Sequence, residues 1–234
     1  MNLVEDLRLS IFENTVDVGM DYAELYLDNI IDSISDNEVL KEIPVVKTLY
    51  SIGKVGAAIH EKNLLRKTLI FITCFNSKTI KPKKLEKYKK RIKEKPQYVQ
   101  EELGRVLLIL NKILDDSKAQ ILANLYRNYV EEEITWDDFC EMTDITERLF
   151  LTDISALLKG YENSGLNIGD VENYHLDRLI SLGLFENFLR LSNNMFISGG
   201  DASWDGESNI NDGKSKDVNI TELGKLYCKC GLVN

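Results

Sequence analysis

Apolar residues recurring three and four positions apart along most of the chain predict a mainly α protein: a multi-helix bundle followed by a small α+β module. Two further observations shape that prediction. Pro44 and Pro96 each stand at the head of an apolar-periodic stretch, where a first helical turn tolerates proline and a helix interior does not. Beyond residue 160 the character changes, with turn-forming glycine, asparagine and aspartate in YENSGLNIGD and again from Gly199 to Asp217.

With 234 residues, 44% apolar and 29% charged, the chain has the balance of a globular protein with a sizeable core. It suffices for one large domain, or for one of ~150 residues with a smaller appendage. The N-terminus, MNLVEDLRLSIFENTVD, is acidic and lacks the apolar stretch of a secretory signal, and the four cysteines are scattered. Reduced thiols and a cytoplasmic location are the expectation.

The first expected helical face, in DYAELYLDNIIDSI, carries Tyr22, Leu25, Tyr26, Ile30 and Ile34. Residues 43 to 75 are the most hydrophobic part and read as a pair of buried helices, in which Gly53, Gly56 and Ala57 permit close approach. Lys47, Lys54 and the segment His60 to Asn63 interrupt them, so no apolar run reaches the ~20 residues of a spanning helix; peripheral membrane contact is the alternative use of this segment.

A basic strip follows. Residues 78 to 95 hold ten basic and two acidic side chains, a local balance of +8, against 19 basic and 36 acidic, or −17, elsewhere. Leu85, Tyr88 and Ile92 recur at helical spacing, which predicts a short amphipathic helix there. Lys81, Lys83, Lys84, Lys87, Lys89, Lys90, Arg91 and Lys93 are the candidate partner-binding residues, for an acidic protein surface, phosphate or anionic lipid. The acidic total argues against nucleic-acid binding over the whole surface.

From Pro96 the helical signal strengthens. Val99, Leu103, Val106, Leu107, Leu110, Ile113 and Leu114 form one stripe. Ser117 is placed to cap the next helix, whose stripe is Leu122, Leu125, Tyr126 and Tyr129. Thr135 and Asp138 have capping-box spacing, with Ile134 and Phe139 at staple positions, for a third helix expected to run through Leu149 and Phe150. Short connections require these three helices to be antiparallel neighbours. The turn-rich segment near residue 164 divides a helical domain, 1–163, from the C-terminal module, 164–234. The helix VENYHLDRLISLGLFE should end at Gly183, with Leu184 folding back on Leu179. Candidate strands follow in NFLRLSN and NMFISG, and Thr221 caps a closing helix.

A helix ending in LGL, short strands with a loop between them, and then ITELGKLY: this order, carried by His175 to Phe185 and Asn219 to Tyr227, resembles the tail of winged-helix domains. In that resemblance a recognition-type helix leads into a two-stranded wing and a threonine-capped helix. It implies a fold more than a function, because many such modules serve as protein interfaces. The helix that would enter DNA has Asp170, Glu172, Asp177 and Glu186 in or beside it and Arg178 as its cation, which favours a protein-facing role. More loosely, residues 43 to 72 and the helices after Pro96 resemble uncharacterised helical proteins of bacteria and prophages, and that resemblance implies mobile-element biology, phage defence or counter-defence included.

No catalytic or cofactor motif survives inspection. SNINDGKS has Ser208 where a phosphate-binding loop needs glycine, and no helix follows directly. In DASWDGESNIND the residues Asp201, Ser203, Asp205, Asn209 and Asp212 only partly match a calcium loop, which should end in glutamate. Cys228 and Cys230 form a C-x-C pair without partners for zinc, and His60 and His175 are isolated. The expectation is a non-enzymatic interaction protein with no cofactor, a protein partner, and self-association as a further mode. A DNA-binding regulator is the main alternative, and a membrane-acting effector using residues 43–75 is the next.

Overall fold

All three prolines open helices. Pro44–Gly53, Pro82–Glu94 and Pro96–Lys112 each begin on the residue whose missing N–H is one that no helix could use. The structure is a computed structural model that describes residues 2–13, 34–53, 59–167, 169–187 and 217–233. It is mainly helical, with one small antiparallel sheet among those residues. The face of Tyr22, Leu25, Tyr26 and Ile30, the Gly56–Ala57 pair, and all of residues 188–216, which hold nearly the whole of the strand candidates and both motif-like stretches, lie outside the described residues.

The chain divides into two units, Met1–Arg148 with Cys230–Leu232, and Leu149–Lys229 with Val233. In chain order the first holds α1 (Leu3–Phe12), α2 (Glu38–Glu42), α3 (Pro44–Gly53), α4 (Ile59–Asn76), α5 (Pro82–Glu94), α6 (Pro96–Lys112), α7 (Asp116–Val130) and α8 (Trp136–Arg148). Its core is aromatic. Phe12, Phe71, Phe75, Tyr126 and Phe139 are fully or almost fully buried and touch in a chain of edge and tilted contacts, which Tyr88, Tyr129 and Trp136 extend. α4 packs chiefly on α7, and α7 on α8. No helix of the described residues is long and apolar enough to cross a membrane. In α4 the apolar run is broken by Lys67, which is buried and paired with Asp116.

The capping box forms as its spacing requires: Thr135 N–H donates to the Asp138 carboxylate at 2.9 Å, and Asp138 N–H to Thr135 Oγ1 at 3.1 Å. Three boundaries differ from expectation. Asp115, not Ser117, holds the position before α7, and Asp116 in its first turn pairs with Arg66 and Lys67. α6 stops at Lys112 because Ile113 is extended, so Leu114 leaves the stripe and is 80% exposed. α8 stops at Arg148, and Phe150 is likewise extended and exposed.

The second unit contains a 3₁₀ turn (Leu151–Asp153), α9 (Ile154–Glu162), β1 (Gly165–Leu166), α10 (Asn173–Ser181), β2 (Phe185–Asn187), β3 (Val218–Ile220) and α11 (Glu222–Tyr227), which continues into a π turn at Cys228. α9 belongs to this unit, ahead of the turn-rich segment read as the boundary. The bare face of Gly160 lies under the Phe185 ring, so the helix helps close the sheet's core. The sheet order is β1-β3-β2, antiparallel throughout, with Leu166 opposite Val218 and Phe185 opposite Ile220. α10 ends as its LGL signal demands: Gly183 sits at φ +74°, its N–H donates to Ile180 O, and Leu184 N–H donates to Leu179 O at 3.0 Å. Thr221 Oγ1 accepts from Gly224 N–H and starts α11.

Candidate interaction surfaces

The basic strip folds as α5, with Tyr88 and Ile92 buried and its lysines outward. Much of its charge is answered within the same unit. After α7 the chain turns through Glu131, Glu132 and Glu133. Lys81 donates from its backbone to Glu131 and from Nζ to Glu133, while Lys84 and Lys87 both pair with Glu132. Those two lysines pull the Glu132 carboxyl down to about 2. Lys90 reaches Glu94 at 3.8 Å. Lys89 and Lys93 add to the positive field at Glu13, whose carboxyl is lowered mainly by its hydrogen bond with Arg8. Lys83 is exposed and meets no acidic partner among the described residues. The candidate residues therefore lie on one helix, with Lys81 at its N-cap, without forming one free basic face.

Arg91 turns the other way. Its Nη2 donates to both oxygens of Glu102, at 2.9 and 3.1 Å, and to the Tyr129 hydroxyl at 2.7 Å. Glu102 is 3% exposed, and the hydroxyls of Tyr88 and Tyr129 also donate to it, each at 2.6 Å. The Tyr126 hydroxyl bonds that of Tyr88. Burial pushes the Glu102 carboxyl up, against the opposing pull of those tyrosine bonds and of Arg91. Burial likewise holds the phenols of Tyr88 and Tyr126 well above the ordinary tyrosine value. Arg91 is thus fixed from beneath, its guanidinium 4.8 Å from the Tyr88 ring centre and 5.3 Å from that of Tyr129.

Above this network lies an open groove of about 670 Å³, the size of ligand and peptide clefts. Tyr88, Tyr129, Val130 and Ile134 supply its apolar lining. Lys87, Lys90, Arg91 and Lys95 supply its positive charge, and Glu94, Glu132, Glu133 and Asp138 are its acidic lining residues.

The second unit carries a cluster that no sequence signal marked. Asp153, completely buried, accepts from Arg178 Nε at 2.8 Å and also pairs with Arg178 Nη2 and His175 Nδ1. Burial alone would raise its carboxyl; the hydrogen bonds from Arg178 and His175 outweigh that and hold it below the ordinary aspartate value. The Arg178 guanidinium lies 4.6 Å from the Phe150 ring centre and 4.9 Å from that of Tyr174. Both rings face solvent, Phe150 57% and Tyr174 54% exposed, and Leu151, next to Phe150 in sequence, is also exposed. Asp153 and Arg178 are separated by 25 positions, too far for any local pattern to join them.

Cys74, Cys140, Cys228 and Cys230 are not joined in disulfides, and burial pushes the Cys228 thiol up to about 12. Among the described residues no three histidine, cysteine or acidic side chains are grouped to hold a metal ion. No family model, no curated protein and no solved structure matches this chain.

Proposed function

We propose that this is a non-enzymatic protein-binding protein, of the bacterial or prophage setting its sequence resembles, whose second unit is a winged-helix-like docking platform. The order helix, strand, helix, strand, strand, with β3 between β1 and β2, supports the winged-helix-like reading. The observation that carries the functional part is the face of Phe150, Tyr174 and Arg178. Exposed aromatic rings around an arginine already held in place are the composition of binding hot spots, because little side-chain freedom remains to be lost on contact. DNA is the poorer fit. Arg178, the cation of α10, is committed to buried Asp153, and Glu172 and Asp177 repel phosphate beside it.

The test compares proteins captured from phage-infected and uninfected bacterial lysates by the wild type and by Phe150→Ala/Tyr174→Ala, with duplex DNA titrated in parallel. A partner captured by the wild type and lost from the folded double variant supports the reading. An unchanged captured set, or tight duplex binding whose log affinity falls steeply with log salt, overturns it.

A further inference from the structure

We propose that the α5 lysines and the groove beside them form a docking site for an acidic peptide segment, partly filled by the chain's own Glu131–Glu133 turn. The turn already shows the mode of binding. Its three carboxylates engage Lys81, Lys84 and Lys87 along one edge of α5, and the Lys81 backbone N–H adds a contact to Glu131. Cations continue past the turn as Lys90, Arg91 and Lys95, and these line the groove. Arg91 is the anchor. Glu102 and Tyr129 hold it through Nη2, and among the described residues Nη1 and Nε have no hydrogen-bond partner and can meet an incoming carboxylate.

The backbone points the same way. Glu132 N–H donates to Tyr129 O and Glu133 N–H to Asn128 O, so Glu132 occupies the left-handed position that closes a helix, at φ +57°. That position favours glycine or asparagine. A glutamate there sets a carboxylate over Lys84 and Lys87 at the cost of backbone strain. The occupant is a peptide and not a nucleic acid for two reasons. Tyr129, Val130 and Ile134 give the groove an apolar lining that apolar side chains can cover and a phosphodiester chain cannot. Asp138 and Glu94 remain on the rim, and a peptide can space its carboxylates to avoid them, whereas a phosphate backbone carries a charge at every residue.

The turn is then an internal competitor, and removing its central carboxylate should strengthen binding by the rest of the site. The probe is a fluorescein-labelled peptide copying residues 129–134, measured by anisotropy against the full chain at low and moderate salt. The wild type should bind weakly, Glu132→Gly about tenfold more tightly, and Lys87→Ala/Lys90→Ala tenfold less tightly than the wild type. A peptide with glutamine for all three glutamates should lose at least tenfold. Glycine suits the backbone at 132, and Glu132→Gln provides a second variant that removes the charge alone. Equal binding of the glutamate and glutamine peptides overturns the proposal, as does failure of both Glu132 variants to bind better than the wild type. Equal competition by a single-stranded oligonucleotide of matched charge overturns the choice of a peptide occupant. Phe150→Ala/Tyr174→Ala should leave peptide binding unchanged, so the outcome is independent of the docking face on the second unit.

Discussion

Glu102 and Asp153 are buried carboxylates in different units, and both are surrounded by donors rather than by apolar side chains alone. A buried polar group costs little once every lone pair is met, and a great deal when one partner is withdrawn. Glu102→Ala strands Arg91 and the hydroxyls of Tyr88 and Tyr129 together, so urea unfolding should report a loss of about 3 kcal/mol. Asp153→Asn should cost the second unit about 2 kcal/mol at neutral pH. The pH dependence has a fixed sign. Asp153 is held below its ordinary value in the folded state, so its stabilisation is complete above the unfolded value near ~3.9 and fades as pH falls through the folded value. The gap between wild type and Asp153→Asn in urea midpoint should therefore close on acidification below about pH 4; a gap that widened would contradict the assignment. Thiol accessibility is a third residue-scale outcome. Iodoacetamide on the native protein should label half-exposed Cys140 and leave buried Cys74, Cys228 and Cys230 intact until denaturant is added.

At the scale of elements, local codes were legible where a cap or a stop is written in adjacent residues. Thr135 with Asp138, Thr221 before α11, Gly183 after α10 and the prolines at helix starts all act over one turn, and short-range sterics suffice to decide them. The strands were not legible in this way. β1 has two residues and β3 three, too few to display an alternating pattern, and β1 falls within a segment that reads as a turn. They are strands because Leu166 and Phe185 find Val218 and Ile220 across the sequence. Gly224 shows how tightly α11 closes on this sheet, since a Cβ there would overlap the Leu184 carbonyl oxygen, which is backbone and cannot move aside. Gly224→Ala should destabilise the second unit by about 2–3 kcal/mol in thermal melts, while Gly183→Ala, where space is available and only φ is strained, should cost about 1 kcal/mol.

At the scale of the whole molecule, the C-terminal residues matter beyond their number. Cys230–Leu232 belong to the first unit, where Asn124 Nδ2 donates to Gly231 O at 2.9 Å and Asn128 Nδ2 to Cys230 O at 3.0 Å. Deleting residues 230–234 should lower the unfolding midpoint of the first unit, and hydrogen exchange should show α7 losing protection. Retention of full protection there would contradict the assignment.

The sequence by itself determined the mainly helical class, the starts of the proline-headed helices, the Thr135, Gly183 and Thr221 signals and the charge contrast between residues 78–95 and the remainder, because each rests on periodicity, composition or contacts within one turn. Only the tertiary structure decided what those charges face. Arg91 with Glu102, Lys84 with Glu132 and Arg178 with Asp153 pair across 11, 48 and 25 positions, and chain folding, not local pattern, sets such distances. A basic strip in sequence thus became a helix answered in part by the acidic turn after α7, and an isolated arginine became the fixed centre of an exposed aromatic face.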